Sequence, residues 1–391
     1  MLWARCAALA CLTVAVAGVQ DGAARTDAPV PLAPGEIAPR PPGAYEVPAG
    51  AIRVDSSRQL RRALARGRAR NIVLSPGTYR GARPFLNPHG HRLYSAVLGA
   101  ARLTAGISLG SNSRVRGALV RGLTFDIARP RRTLDGAAIH IWGSSRGARI
   151  LDTVIRGHRT LDSGILARQP AGLVIQRVVA SDFASYGVLV DANDHGRGVL
   201  KEPFRLEDAD VSHVARRRVG SSNGRAEACI WIGNTGVVRR VRIRDCGVSG
   251  LWTGSATKRS TFDGVDVDRA PTGVYVEHFT HRSTFRRLHV GRVVQTGLNA
   301  EWADPGWGHR PASVDNVIEH SHFESSFAGV YLDEGTTRTT VRHNTFVGQK
   351  WTAVGNYRGL GNRHYGNVAG ALVPGALPYR EAHPSSYTPG G

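Results

Sequence analysis

Three acidic residues close three successive alternating segments: Glu277, Glu301 and Asp333, spaced by 24 and 32 residues. The segments read Gly273-Val-Tyr-Val-Glu277, Gly297-Leu-Asn-Ala-Glu301 and Gly329-Val-Tyr-Leu-Asp333. In each, the first and third residues after the glycine are apolar. Side chains alternate across a strand, so the second and fourth residues share the opposite, outward face. Acids on adjacent strands would stand about 4.8 Å apart at the backbone. Like charges that close raise one another's pKa or hold a cation between them. A carboxyl group kept protonated near neutrality can serve as a general acid. Neighbouring strands suit the roughly 5–5.5 Å carboxyl pair of retaining glycoside cleavage, and alternate strands the roughly 6.5–9.5 Å pair of inverting cleavage. Glu277, Glu301 and Asp333 are therefore the candidate catalytic residues.

Aromatic residues accompany them. The second outward position holds Trp231, Trp252, Tyr275, Asn299 and Tyr331 in successive segments. His278 and Trp302 directly follow two of the acids, and Trp307 lies in the insertion after Glu301 together with Asp304 and His309. Flat aromatic faces pack against sugar rings while polar neighbours meet the hydroxyls. Arg168 occupies the acids' position in an earlier segment. These nine residues form the expected substrate-binding set. The competing reading is an acidic ladder neutralised by arginines, with tryptophans pinning a loop. Asp191, Asp194 and His195 mark the root of another insertion and could reach the same groove.

A repeat must position these residues. The same glycine-led strand starts at Gly164, Gly187, Gly250, Gly273, Gly297 and Gly329, with Ala138, Cys229 and Ala353 in the equivalent place. Spacings of 23 and 24 residues recur. A second apolar position lies about twelve residues earlier, at Ile175, Val238, Phe262, Phe285, Val317 and Val341. Two short strands per repeat cannot bury an apolar face alone, but stacked repeats can. Helical periodicity and a leucine scaffold are both missing. The predicted fold is all-β: a single-domain right-handed parallel β-helix solenoid with a short N-terminal capping helix. Interruptions at about 193–203, 214–226 and 303–312 read as loops over a binding face.

The whole chain has 391 residues and a formal charge of +21, almost all its basic residues being arginine. Residues 1–19 read as a secretory signal, 20–50 as a Pro/Ala-rich linker, 51–370 as the β-helix and 371–391 as a loose tail. No later segment is apolar enough to span a membrane. A secreted protein, extracellular or periplasmic and monomeric, is expected. The charge predicts an anionic polysaccharide partner. Nucleic acid is not the expected partner, given the export signal and the lack of a binding module. Cys229 and Cys246 either pair or serve as two small buried side chains. Arg239, Arg240, Arg242, Arg244, Arg286, Arg287 and Arg342 read as a solvated basic face, and Asn344 as part of an asparagine stack. No phosphate loop, nucleophile elbow or zinc motif occurs.

Ser57 to Arg66 reads as the capping helix, with Ser57 as N-cap and Gly67 as stop. Ile72-Val-Leu-Ser-Pro-Gly-Thr-Tyr79 follows as a strand and turn. Helix, strand and repeat of about 23 residues together resemble the pectate lyase superfamily over residues 51–370. The resemblance implies a right-handed β-helix carrying carbohydrate-active chemistry of several kinds. The leading reading is an exported enzyme that cleaves glycosidic bonds by carboxylate acid/base catalysis, with no cofactor. The resemblance also implies a rival, a calcium-dependent lyase or uronate epimerase, with Glu277, Asn299, Glu301 and Asp333 as the oxygen ligands. Its base would be Arg168, Arg358, Lys350 or a tyrosine. A third reading is a non-catalytic glycan-binding surface protein.

Overall fold

The alternation read from the glycine-led segments builds one continuous sheet. The structure, a computed structural model, describes residues 40, 45–110, 115–142, 145–191, 202–214, 228–254, 257–277, 279–300 and 313–381. Among these, twelve parallel strands stack from Phe85–Asn87 to Leu377–Arg380. Opposite it runs a 21-stranded parallel sheet, to which each coil adds a bent strand or a pair of strands. Gly236–Cys246, for example, pairs with both Phe204–Glu207 and Asp210–Val214. Nine coils lie between residues 115 and 365, so the solenoid is as long as the repeat predicts.

The core fills the space between the sheets. Val188, Ile230, Leu251, Val274, Leu298, Val330 and Val354 form one inward row in unbroken register. All are buried. Facing them, Ile175, Leu206, Val238, Phe262, Phe285, Ile318 and Val341 form the other row. Ile318, not Val317, takes the inward place there. Phe262 and Phe285 stack at 4.7 Å, as do Phe323 and Phe346 at 5.3 Å. The glycine column exists because the sheets approach closely behind it. A Cβ on Gly250 would lie 2.7 Å from the Gly273 carbonyl oxygen and collide with Val267.

Cys229 stands in that same column, and its sulfur is bonded to Cys246 across the coil. Comparison of neighbouring turns misses this link, because the bridge spans one turn from sheet to sheet.

The helix is Ser57–Leu64, one residue later than its cap: Ser56, not Ser57, accepts the Gln59 N–H at 3.3 Å. It buries Leu60, Ala63 and Leu64 over the first coils. Ile72–Tyr79 is split into two strands, Asn71–Leu74 and Gly77–Tyr79, by the corner at Ser75-Pro76. The expected linker docks before its end, since the Tyr45 hydroxyl donates to the Ser95 carbonyl at 2.7 Å and Arg121 lies over its ring. The expected loose tail also holds a strand, Leu377–Arg380, paired to Thr352–Asn356.

Arg239 is exposed as the solvated-face reading expects, but Arg240, Arg242, Arg244, Arg286, Arg287 and Arg342 are paired with acids. Arg240 Nε bonds Asp208 at 2.6 Å, Arg244 bonds Asp210 at 2.9 Å, Arg287 Nε bonds Asp263 at 2.6 Å and Arg342 Nε bonds Glu319 at 2.8 Å. Each pair links adjoining coils. Several sit at left-handed corners, including Asp152, Arg177, Asp208 and Arg240, all with φ near +50°. Asp208 and Asp263 are 2% and 3% exposed, so removing their arginine partner would leave a buried charge uncompensated. Asn344 is buried and bonds Asn367 and the Ile318 carbonyl, so the asparagine stack is present.

Candidate functional site

The outward face of the twelve-stranded sheet carries the expected residues in the expected order. His140, Leu166, Leu189, Trp231, Trp252, Tyr275, Asn299, Tyr331 and Gly355 pair in one register row. Beside it, Glu277 N–H donates to the Thr253 carbonyl at 2.7 Å and Asp333 N–H to the Ala300 carbonyl at 2.8 Å. Both acids thus extend the ladder past the strand ends. Glu301, Trp302, Trp307 and His278 lie outside the described residues, as do Asp194, His195, Asp304 and His309.

Glu277 has a built seat. The Trp252 indole N–H donates to its Oε2 at 3.0 Å. One coil earlier, Gly254 leaves room for the carboxylate, because a Cβ there would lie 2.6 Å from Oε2. Tyr275 packs on Trp252 with ring centroids 4.3 Å apart. Asp333 is nearly buried, and its Oδ1 accepts the Glu334 N–H at 2.7 Å. The face therefore holds two backbone-anchored carboxylates, one of them fixed against aromatic surface.

Not every expected contact is open to a sugar. Tyr331 is 1% exposed, packed against Trp351, and Asn299 is 3% exposed. Trp351 lies before its own strand and stacks on Phe327, so it covers Tyr331 from the side. Trp252 is buried too, at 8% exposure, its indole committed to Glu277, while Trp231 and Tyr275 remain partly exposed. Among the described residues, no three His, Cys, Asp or Glu side chains converge to hold a metal ion.

Arg168 lies elsewhere on the face. It precedes Glu277 by four coils, about 19 Å at the strand spacing. Its Nη2 is 3.9 Å from Asp135 Oδ2, and the same oxygen is 3.3 Å from His140 Nε2. His140 is fully buried and meets the edge of Trp142 at 4.7 Å. Burial depresses its pKa, Asp135 opposes that shift and Arg168 adds to it. Asp135 and His140 were not expected to act together. His140 is marked by its row, but Asp135 sits in an irregular segment with no period to signal it.

Residues 163–369, more than half of the chain, match the family described as the right-handed beta helix region, and the chain belongs to it. No curated protein matches the sequence. Among solved structures, the Dettilon tailspike protein is similar with a TM-score of 0.54 and 11% identity, over 83% of this chain and 64% of that one. The catalytic unit of a thermostable GH87 α-1,3-glucanase from Streptomyces thermodiastaticus is similar with a TM-score of 0.50 and 13% identity, over 88% of this chain and 70% of that one. An alginate lyase from Paenibacillus sp. aligns over 85% of this chain and 98% of that one, with a TM-score of 0.42 and 11% identity. At such identities the likeness is one of fold. No helix among the described residues is long and apolar enough to cross a membrane.

Proposed function

We propose that this chain is an exported enzyme that hydrolyses glycosidic bonds of a polysaccharide laid along the outward face of the twelve-stranded sheet. The observation that carries the reading is the seat of Glu277, a carboxylate fixed by the Trp252 indole beside the partly exposed Tyr275 ring. Glu277 and Asp333 stand two coils apart, about 9.6 Å at the backbone. Side-chain reach brings that spacing within the roughly 6.5–9.5 Å range of an acid and base that admit a water between them. Glu301 falls between them in sequence and completes the proposed catalytic set. The +21 charge steers an anionic polymer toward the molecule.

The test is a panel of acidic and neutral polysaccharides, assayed for new reducing ends and for unsaturated-uronate absorbance, with and without chelator. Hydrolysis gives reducing ends, no absorbance and no loss in chelator. Absorbing products made only with calcium present would overturn hydrolysis in favour of elimination. Tight binding with no cleavage of any polymer would leave a glycan-binding protein instead.

A further inference from the structure

We propose that Trp142, Arg168 and Asp135 form a distal subsite that binds an uncharged sugar unit of the same polymer through its hydroxyls. This rests on reading the face as a polysaccharide groove. The subsite lies four coils from Glu277, so the polymer would run along the solenoid axis rather than across it.

The polar groups there are poised but not consumed. Arg168 is half-exposed, and its 3.9 Å approach to Asp135 is too long for a hydrogen bond. Arginines on the opposite sheet differ: Arg240 holds Asp208 through two bonds of 2.6 and 2.9 Å. A guanidinium fork and a carboxylate side by side offer donors and acceptors together. A sugar hydroxyl both donates and accepts, so it can bridge such a pair.

His140 is fully buried, and neither ring nitrogen makes a hydrogen bond, although Nε2 is 3.3 Å from Asp135. Buried polar groups are rarely left unsatisfied, and exceptions call for a specific reason. Here Asp135 is held near two groups and bonded to neither, which leaves it free to turn toward a hydroxyl. Trp142 precedes Arg168 by one coil, with its indole N–H donated to Ser108 Oγ at 3.0 Å. That bond and the edge contact with His140 fix a partly exposed ring on the coil adjoining Arg168.

Charge selects the ligand. Arg168 already faces Asp135, so the two charges offset one another and leave no net charge to draw a carboxylate. A uronate carboxylate would meet the Asp135 charge there. An uncharged sugar meets none.

The experiment measures binding of neutral glucan and uronate oligosaccharides of increasing length by calorimetry. It uses a Glu277→Gln background, so that ligands persist, and adds Trp142→Ala or Arg168→Gln, with melting curves to verify folding. We expect the affinity ratio of long to short neutral chains to fall about tenfold in either variant. An equal fall for short and long chains, or no fall, would overturn the subsite. Cleavage without the length effect overturns the subsite alone. Binding of no polysaccharide by the unaltered protein overturns the parent reading with it.

Discussion

The indole of Trp252 and the carboxylate of Glu277 are joined at 3.0 Å across one coil step, with Gly254 opposite the carboxylate. The pair fixes an acid on a sheet face by two features of the preceding coil, a donor and a missing side chain. Each can be removed separately.

Glu277→Gln keeps the shape and the indole bond but removes the titrating group. Turnover should fall at least about a hundredfold, the lower range for loss of a general acid or base, with the melting temperature unchanged. Gly254→Ala should also lower turnover, because its Cβ displaces the carboxylate without touching its chemistry. Reducing-end assays on a cleaved substrate check both. Near-normal turnover in Glu277→Gln would remove that residue from the catalytic set.

The Cys229–Cys246 bridge closes a short loop, with a sequence separation of 17. The chain-entropy relation gives about 3 kcal/mol for a loop of that size. Urea unfolding with and without reductant should show a loss of that order. A double Cys229→Ala, Cys246→Ala variant should match the reduced protein. No shift on reduction would show that the bond is not formed in the protein as isolated.

His289 gives stability a pH dependence of defined sign. Its Nδ1 is 2.8 Å from Asp266 Oδ1, and its Nε2 faces Glu324, which also bonds His322. Arg242 approaches the same aspartate at 3.5 Å. The bond to Asp266 raises the His289 pKa, and burial opposes it only in part. The folded pKa therefore exceeds the unfolded value of about 6.5. Its stabilisation is fully present below that value and is lost as pH rises through the folded pKa. His289→Gln should flatten that part of the stability–pH curve, measured by urea midpoints from acid to alkaline pH. An unchanged curve would assign the dependence to other groups.

The solenoid was legible because two periods agree: alternation of two along each strand, and about 23 residues between glycines that only a close sheet approach demands. The outward row from His140 to Gly355 followed directly. What escaped was whatever depends on contacts outside the period. The count points to Val317 rather than Ile318 because the insertion at 303–312 breaks it between two adjacent apolar residues. Tyr331 was expected to be open, yet Trp351, which lies before a later strand, covers it. Asp135 comes within 3.3 Å of His140 from an irregular segment that no repeat marks. The basic face became a ladder of pairs because its aspartates lie a full coil away in sequence.

That ladder also fixes the parity of the solenoid. Asp152, Arg177, Asp208 and Arg240 occupy one column, acid and base in alternation, with Arg177 bonded to Asp152 at 3.1 Å and Arg240 to Asp208. Excising the coil with Arg177 would set Asp152 directly against Asp208, and excising the one with Asp208 would set Arg177 against Arg240. Like charges opposed across strands are destabilising. Removing both coils together restores an acid beneath Arg240. In this stretch, recombination or engineering can shorten the molecule by two turns far more readily than by one.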